Sequence, residues 1–263
     1  MHLNAIDSGS DTATDLPPLV ILHGLLGSAR NWGGVVKALG GARRVVALDL
    51  PNHGASPWAE VMDYPFMARE VAKVIKHLGG PAAVMGHSMG GKAAMTLALT
   101  RPDLVERLVV VDIAPVAYRH TFAPYVKAMR AAPLAEAASR GEVDAFLAAH
   151  IPDRGVRAFL MQNLEGSSGG YRWRPNLPVL GAHMDDILAF PAFADEARYD
   201  GPALFVAGAL SDYILPAHED VIAHLFPQAV TVEIEDAGHW VHADNPAAFL
   251  AAVAAFIGRQ APP

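Results

Sequence analysis

Short runs of mostly apolar residues recur along the chain, and segments with helical spacing separate them. Each run is too short for a helix and is typical of a strand that is buried on both faces. The runs lie at residues 19–22, 45–48, 82–85, 108–111, 203–206 and 230–234. Because buried strands alternate with helices here, the pattern predicts a mostly parallel, doubly wound α/β sheet.

The clearest helical pattern lies between the second and third runs. Met67, Val71, Ile75 and Leu78 recur at the spacing of one helix face, and Asp63 precedes them at the position of an N-cap. The glycine pair at 79–80 then ends the helix. Further helices are predicted at 221–225 and 246–257.

The alternation of strands and helices stops after Asp112 and resumes at residue 203. The intervening segment predicts helices at 142–149, 156–164 and 179–189, a flexible glycine- and serine-rich turn at 166–170, and no buried strand. An insertion of this kind inside an α/β sheet predicts a helical lid, since it lacks a sheet of its own. We therefore expect a core of residues 1–115 and 198–263 with a lid of residues 116–197.

Composition narrows the class of protein. The 263 residues are 52% hydrophobic, which is enough for a packed core and excludes global disorder. The net charge of -7, without a basic run, argues against a nucleic-acid partner. The chain has no cysteine, so disulfides, a thiol nucleophile and thiolate metal sites are excluded.

Membrane and targeting signals are weak in the sequence. No stretch reaches the roughly 18 apolar residues that span a bilayer, so we expect no stable membrane insertion. Residues 1–18 have neither the basic start nor the apolar segment of a signal peptide. These observations predict a cytoplasmic protein, and they leave its oligomeric state open.

A candidate nucleophile, Ser88, lies in the sequence Gly-His-Ser-Met-Gly at 86–90. A buried strand precedes it and a helix rich in small residues follows, as a nucleophile elbow requires. Gly86 and Gly90 are expected there because side chains would clash in the tight turn. The same pattern occurs around Ser168, but no strand precedes that serine. Context therefore favours Ser88.

A phosphate-loop interpretation overlaps the same residues. Gly86, Gly91 and Lys92 fit its spacing, but Ala93 replaces the Ser or Thr that would bind magnesium. The dinucleotide-binding pattern Gly-x-Gly-x-x-Gly is absent from the sequence. The missing hydroxyl argues against an NTPase.

Three further positions favour acyl transfer. His239 follows the last predicted strand on a glycine-containing loop, from which it can act as the general base for Ser88. Asp112 and Asp212 both fit the chain order Ser, Asp, His. Counting along the second loop from its two ends places the usual acid position on either Ser211 or Asp212. The residues themselves thus leave two candidate acids.

The loop after the first buried run carries the sequence His-Gly-Leu-Leu-Gly at 23–27. In a hydrolase with this order of elements, the backbone amide of Leu25 would join that of Met89 in an oxyanion hole. Each such donor contributes about 3–4 kcal/mol to stabilising the transition state. His23 itself is predicted to be structural.

Several segments together resemble the YbfF-type esterases, a branch of the α/β-hydrolase superfamily that includes mitochondrial abhydrolase-domain proteins. They are LHGLLGS (22–28), DLPNHGASP (49–57), MGHSMGGK (85–92), DIAP (112–115), YRWRPNLPVL (171–180) and GHWVH (238–242). The resemblance implies an α/β-hydrolase fold with a helical lid. It also favours Asp112 as the acid, because that family often has Ser where this chain has Ser211. This chain differs by having Asp212 beside that serine.

The expected activity is hydrolysis of carboxylic esters, and of acyl thioesters, through a Ser-His-Asp triad and an acyl-enzyme. The partner is thus a small-molecule ester or thioester, and no metal or cofactor is implied. Trp240, Tyr118 and Phe122 are candidate substrate contacts, and Arg172 and Arg174 are candidates for binding the phosphates of an acyl-CoA. Alternatives are a C–C bond hydrolase or lyase of the same fold and a non-catalytic ligand receptor.

Overall fold

The computed structural model describes residues 1–9, 16–119 and 122–258. Each of the three predicted segments, 1–115, 116–197 and 198–263, has some residues outside these ranges. The strands within them are β1 Ala5–Asp7, β2 Leu19–Leu22, β3 Val45–Leu48, β4 Ala82–His87, β5 Val105–Val111, β6 Leu164–Ser167, β7 Gly170–Trp173, β8 Ala203–Gly208 and β9 Ala229–Ile234.

The helices of the described ranges flank the strands and interrupt their order. They are α1 Gly33–Leu39, α2 Tyr64–His77, α3 Met89–Thr100, α4 Ala123–Ala131, α5 Arg140–Ala148, α6 Arg154–Met161, α7 Leu177–Ala182, α8 Met184–Leu188, α9 Glu219–Leu225, α10 Val241–Asp244 and α11 Pro246–Ile257. None of these described helices is long and apolar enough to cross a membrane.

Seven of the strands form one sheet in the order β1-β3-β2-β4-β5-β8-β9. All pairs are parallel except β1 with β3, so the predicted mostly parallel sheet is confirmed. All six predicted strands are present. The prediction missed β1, which has only three residues, two of them exposed, and so lacks a buried run.

Both faces of the sheet are covered, as a doubly wound fold requires. Val20 and Leu22 of β2 belong to the hydrophobic cluster that includes α2 and α3. Leu19 and Ile21 of the same strand belong to the cluster that includes α1 and α11. Alternate side chains of a strand point to opposite faces, so four consecutive apolar residues are buried on both sides.

Helix α2 begins and ends where the sequence predicts. The side chain of Asp63 accepts a 2.6 Å hydrogen bond from the N–H of Phe66, which is the geometry of an N-cap. After the helix, Gly79 has φ +97, a conformation that favours glycine. Cap and stop signals thus act locally, without help from distant residues.

Residues 116–197, here called the insertion, lie between β5 and β8 and contain α4 to α8. They differ from the prediction in three ways, the first being that helix α4 was not predicted. The helix predicted at 156–164 ends at Met161, because Leu164 begins a two-stranded antiparallel hairpin, β6–β7, that includes most of the predicted flexible turn. The helix predicted at 179–189 is divided into α7 and α8 at His183.

Candidate active site

The chemically competent side chains lie at one edge of the sheet, where its parallel strands end. Ser88 follows β4, Asp112 follows β5 and His239 follows β9, while Leu25 lies in the loop after β2. In the sheet, β3 lies on one side of β2, and β4 lies on the other side with β5 beyond it. The order in which the chain adds strands therefore changes direction between β2 and β4. Ligands of open α/β sheets bind outside the strand ends at such a switch point.

Ser88 occupies a strained turn between β4 and α3. Its φ of 52° and ψ of −120° are unusual for a residue with a side chain. A Cβ on Gly86 would lie 2.1 Å from the carbonyl oxygen of Gly90, and a Cβ on Gly90 would lie 2.4 Å from that of Leu22. The turn therefore needs glycine at both positions, and it presents Ser88 at the strand end.

Asp112 and His239 are joined by a hydrogen bond of 2.8 Å between Oδ2 and Nδ1. Because an ionised carboxylate only accepts, Nδ1 carries the proton and Nε2 is left as an acceptor. Asp112 is fully buried, and it also accepts hydrogen bonds from the N–H of Gly208 at 3.0 Å and the hydroxyl of Ser211 at 2.5 Å. These donors stabilise its negative charge and fix its orientation.

Asp212, the second candidate acid, is exposed. Within the described ranges it makes no hydrogen bond to His239, whose Nδ1 is taken by Asp112. This geometry favours Asp112 over Asp212 as the acid. The neighbouring Ser211 occupies the other counted position, where its hydroxyl supports Asp112.

Two residues that the sequence analysis missed hold His239 in place. The ring of Tyr213 stacks on the imidazole, with centroids 3.8 Å apart and planes at 17°. Nε2 of His87 donates a 2.8 Å hydrogen bond to the backbone carbonyl of His239. Burial keeps the pKa of His87 well below its usual value, so this ring stays neutral.

Ser88 and His239 line one cavity of about 500 Å³, a volume within the usual range for small-molecule sites. In the described structure no hydrogen bond joins the serine hydroxyl to the imidazole. Catalytic hydrogen bonds of ligand-free enzymes are often long and shorten when substrate binds. Trp240 and Phe122, two of the predicted substrate contacts, also line this cavity, together with Phe159.

The backbone amides of Leu25 and Met89 are free to bind an anion. Neither donates a hydrogen bond to any described residue. Met89 is the first residue of α3, where the helix leaves its N–H groups unpaired and its dipole favours negative charge. The loop of Leu25 lies against Ser88, since a Cβ on Gly24 would be 3.3 Å from Cβ of that residue.

The loop that carries Leu25 is held by two buried histidines. Nε2 of His53 accepts a hydrogen bond from the N–H of Leu26 at 3.1 Å, and Nε2 of His23 accepts one from Leu50 at 3.0 Å. Burial lowers the pKa of both rings, that of His53 to about 3. Both are neutral and act as structural acceptors, as predicted for His23.

Lys92 is buried, and its amine does not point to an anion site. Nζ donates hydrogen bonds to the carbonyls of Leu188 at 2.8 Å and Ala189 at 2.7 Å. Burial lowers the pKa of this amine to about 7. A phosphate loop would need its lysine at the phosphates, so the geometry does not support the NTPase alternative.

The two arginines considered for acyl-CoA phosphates form ion pairs instead. Arg172 and Arg174 contact the two carboxylate oxygens of Glu165 at 2.6 and 2.7 Å. Neither lines the cavity at Ser88. Across the described ranges, no group of three His, Asp or Glu side chains is placed to hold a metal ion.

The chain is similar to known proteins in both its family model and its sequence relatives. The family model for the alpha/beta hydrolase fold matches residues 17–246. The sn-1-specific diacylglycerol lipase ABHD11 of Mus musculus is 41% identical over 256 residues, which cover 94% of this chain and 83% of that protein. Esterase YbfF of Escherichia coli (strain K12) is 34% identical over 261 residues, which cover 98% of this chain and 99% of that protein.

A solved structure is also similar over the whole chain. It is described as a marine microorganism esterase, has a TM-score of 0.91 and is 35% identical. The match covers 97% of this chain and 98% of the other.

Proposed function

This chain belongs to the alpha/beta hydrolase family, a family of enzymes, and we propose that it cleaves carboxylic esters through a covalent acyl-enzyme on Ser88. The observation that carries the proposal is the 2.8 Å hydrogen bond between Asp112 and His239, since it leaves Nε2 of His239 unprotonated beside Ser88. Esterases and a lipase among the relatives support the same class of reaction.

In the first step, Oγ of Ser88 attacks the carbonyl carbon of the ester while Nε2 of His239 takes the hydroxyl proton. The negative charge that forms on the carbonyl oxygen is bound by the amides of Leu25 and Met89. The imidazolium then gives its proton to the leaving oxygen, the carbon–oxygen bond breaks, and an alcohol departs. Asp112 stabilises the imidazolium and stays ionised.

In the second step, water attacks the carbonyl carbon of the acyl-enzyme. His239 takes a proton from the water and returns it to Oγ of Ser88, so that a carboxylic acid leaves and the serine is restored. A thioester would follow the same path with a thiol as leaving group. The proposed activity therefore includes the hydrolysis of acyl thioesters.

The insertion is proposed to act as a lid. Phe122 and Phe159, both from the insertion, line the cavity that contains Ser88 and His239. Trp240 from the core lies opposite Phe159, with ring centroids 5.7 Å apart. The cavity therefore lies between the two parts of the chain, as expected if the insertion covers the site.

The proposal is tested by labelling with a fluorophosphonate and by turnover of p-nitrophenyl acetate. The probe forms a bond between phosphorus and an activated serine oxygen, and fluoride leaves. We expect Ser88→Ala to lose labelling and turnover, while Ser168→Ala, which alters the second match to the serine pattern, keeps both. Labelling of Ser88→Ala at another serine would overturn the assignment.

The two alternative functions give different results in the same assays. A C–C bond hydrolase would leave all esters intact and cleave a vinylogous diketone. A ligand receptor would bind an ester tightly with negligible turnover.

A further inference from the structure

A second, much smaller cavity lies next to Ser88. Its volume is about 30 Å³. The two proposed oxyanion donors, Leu25 and Met89, line it together with Ser88, and Ile187 and Leu188 of the insertion form part of its wall. The nucleophile thus lies between a large cavity and a small one.

The position of His239 indicates which part of an ester enters each cavity. The imidazole must give its proton to the leaving oxygen, so the alcohol lies on the side of His239. His239 lines the cavity of about 500 Å³ and does not line the small one. The acyl substituent extends from the carbonyl carbon away from the leaving oxygen, and the small cavity is the one of the two at Ser88 that His239 does not line.

The small cavity limits the length of the acyl group. Its volume is less than a tenth of that of the cavity that His239 lines. We therefore expect it to accept a methyl or ethyl group more readily than a chain of eight carbons.

The wall formed by the insertion is fixed to the core by hydrogen bonds. The hydroxyl of Tyr64 donates to the carbonyl of Ile187 at 2.5 Å. Nζ of Lys92 donates to the next two carbonyls, those of Leu188 and Ala189, at 2.8 and 2.7 Å. These bonds satisfy carbonyl groups at the C-terminal end of α8, so moving the wall would leave buried polar groups unpaired.

The opposite side of the small cavity is fixed in the same way. The hydroxyl of Tyr118, a predicted substrate contact, accepts from the N–H of Ala114 at 2.8 Å and donates to the carbonyl of Tyr213 at 2.5 Å. Both tyrosines line the small cavity. An acyl chain that exceeds the cavity would therefore have to break hydrogen bonds on both sides.

From this geometry we propose that the enzyme selects esters of short acyl groups, acetyl and propionyl, with alcohols that are much larger, and that Ile187 is a determinant of this selectivity. The inference rests on the proposed ester hydrolysis. It assigns the small cavity to the acyl group and the large cavity to the leaving alcohol.

The experiment measures kcat/KM for p-nitrophenyl acetate, butanoate and octanoate, which share one leaving group. We expect a loss of about tenfold or more from acetate to octanoate. A second series compares ethyl acetate with 2-phenylethyl acetate, whose alcohols have similar acidity. The larger alcohol should be cleaved at least as well as the smaller one.

The variant Ile187→Ala removes most of a side chain from the wall and should raise the butanoate-to-acetate ratio by about tenfold. Ile222→Ala is the matched control, because Ile222 is equally buried but lies outside both cavities. It should leave the ratio unchanged. Because the readout is a ratio of two rates measured on one preparation, partial loss of folded protein does not affect it. Leu188→Ala, at the next residue of the wall, provides a second variant.

Equal rates for acetate and octanoate, or rejection of the larger alcohol, would overturn the acyl selectivity while Ser88-dependent hydrolysis stands. Absence of turnover on every ester, together with absence of fluorophosphonate labelling, would overturn the proposed function and this inference with it.

Discussion

The side-chain amide of Asn163 donates a 2.7 Å hydrogen bond to the backbone carbonyl of Leu26, the residue after the proposed oxyanion donor Leu25. Leu26 has φ 59°, and its N–H is bound by His53 at 3.1 Å. The loop is thus held from the core through its N–H and from the insertion through its carbonyl. We infer that the direction of the Leu25 amide depends on a residue of the insertion.

Replacing Asn163 with Asp tests this dependence. A carboxylate has nearly the same shape but cannot donate to the carbonyl of Leu26, and it repels that oxygen. Because an oxyanion donor acts mainly in the transition state, we expect kcat to fall about tenfold with little change in KM. Steady-state kinetics on one ester measure both constants.

The matched control is Asn245→Asp at the N-cap of α11. The Asn245 side chain accepts from the N–H of Ala248, a contact that Asp retains, and donates to the carbonyl of Glu235, a contact that Asp loses away from Leu26. It should keep full kcat, and an equal loss of kcat in both variants would contradict a specific effect at Leu26.

A second prediction separates the two candidate acids. In Asp112→Asn, the side-chain amide can donate a hydrogen bond to Nδ1 of His239. This favours the tautomer that has its proton on Nε2. Turnover should fall by up to about 10⁴-fold, as expected for loss of the correct tautomer. Asp212→Asn, at the exposed position, should change turnover less than about twofold. Similar, mild losses in both variants would contradict the assignment of Asp112.

A third prediction concerns the nucleophile turn and is read from the free energy of unfolding. Gly86→Ala places a Cβ 2.1 Å from a backbone oxygen, so we expect a destabilisation of more than about 3 kcal/mol. In Gly34→Ala, an exposed position in α1, the Cβ meets no atom within 4 Å. That variant should be unchanged or up to about 1 kcal/mol more stable, because Ala lowers the entropy of the unfolded chain. Urea titration gives both values.

A fourth prediction concerns acid stability. Burial lowers the pKa of four histidines, His23, His53, His87 and His242, the last from 6.5 to about 4. Below pH 6.5 the unfolded chain gains protons that the folded protein does not. The free energy of unfolding should therefore be highest above that pH and should fall as the pH decreases towards 4. For His242 alone, the loss between pH 7 and pH 5 is about 2 kcal/mol.

His242→Phe tests the contribution of this ring. Phe keeps the stacking on Trp32, where the ring centroids are 4.2 Å apart, and removes the titrating group. The variant should lose less stability between pH 7 and pH 5 than the wild type does. His77→Asn, at an exposed histidine, should follow the wild-type curve. A His242→Phe curve parallel to that of the wild type would contradict the prediction.

The sequence predicts the core elements well because their signals are local. Residues 19–22 form β2 with the predicted bounds, since four consecutive apolar residues fit only a strand buried on both faces. The hairpin β6–β7 was missed because its short, glycine-containing strands carry no such pattern. Its N–H at Tyr171 donates to the carbonyl of Leu134 at 3.0 Å, a contact that sequence spacing does not show.

The residues of the candidate site also fall into those with a local sequence signal and those that depend on distant contacts. The strained turn at Ser88 could be predicted because it is encoded within five residues, by glycines that the turn requires. The choice between Asp112 and Asp212 could not be made from the residues alone, because both follow strands that end at the same edge. Asn163 and Tyr213 gave no signal, since they reach the site from 137 residues beyond Leu26 and from the loop after β8.

The two cavities at Ser88 share few residues. Among the described residues that line them, only Leu25, Ser88 and Phe122 belong to both. With the cavities assigned as proposed, changes in the wall of α8 would alter the acid that is released without altering the alcohol, and changes around Trp240 would do the reverse. Evolution, or an engineer, could then adjust the two halves of the substrate independently while Ser88 stays constant.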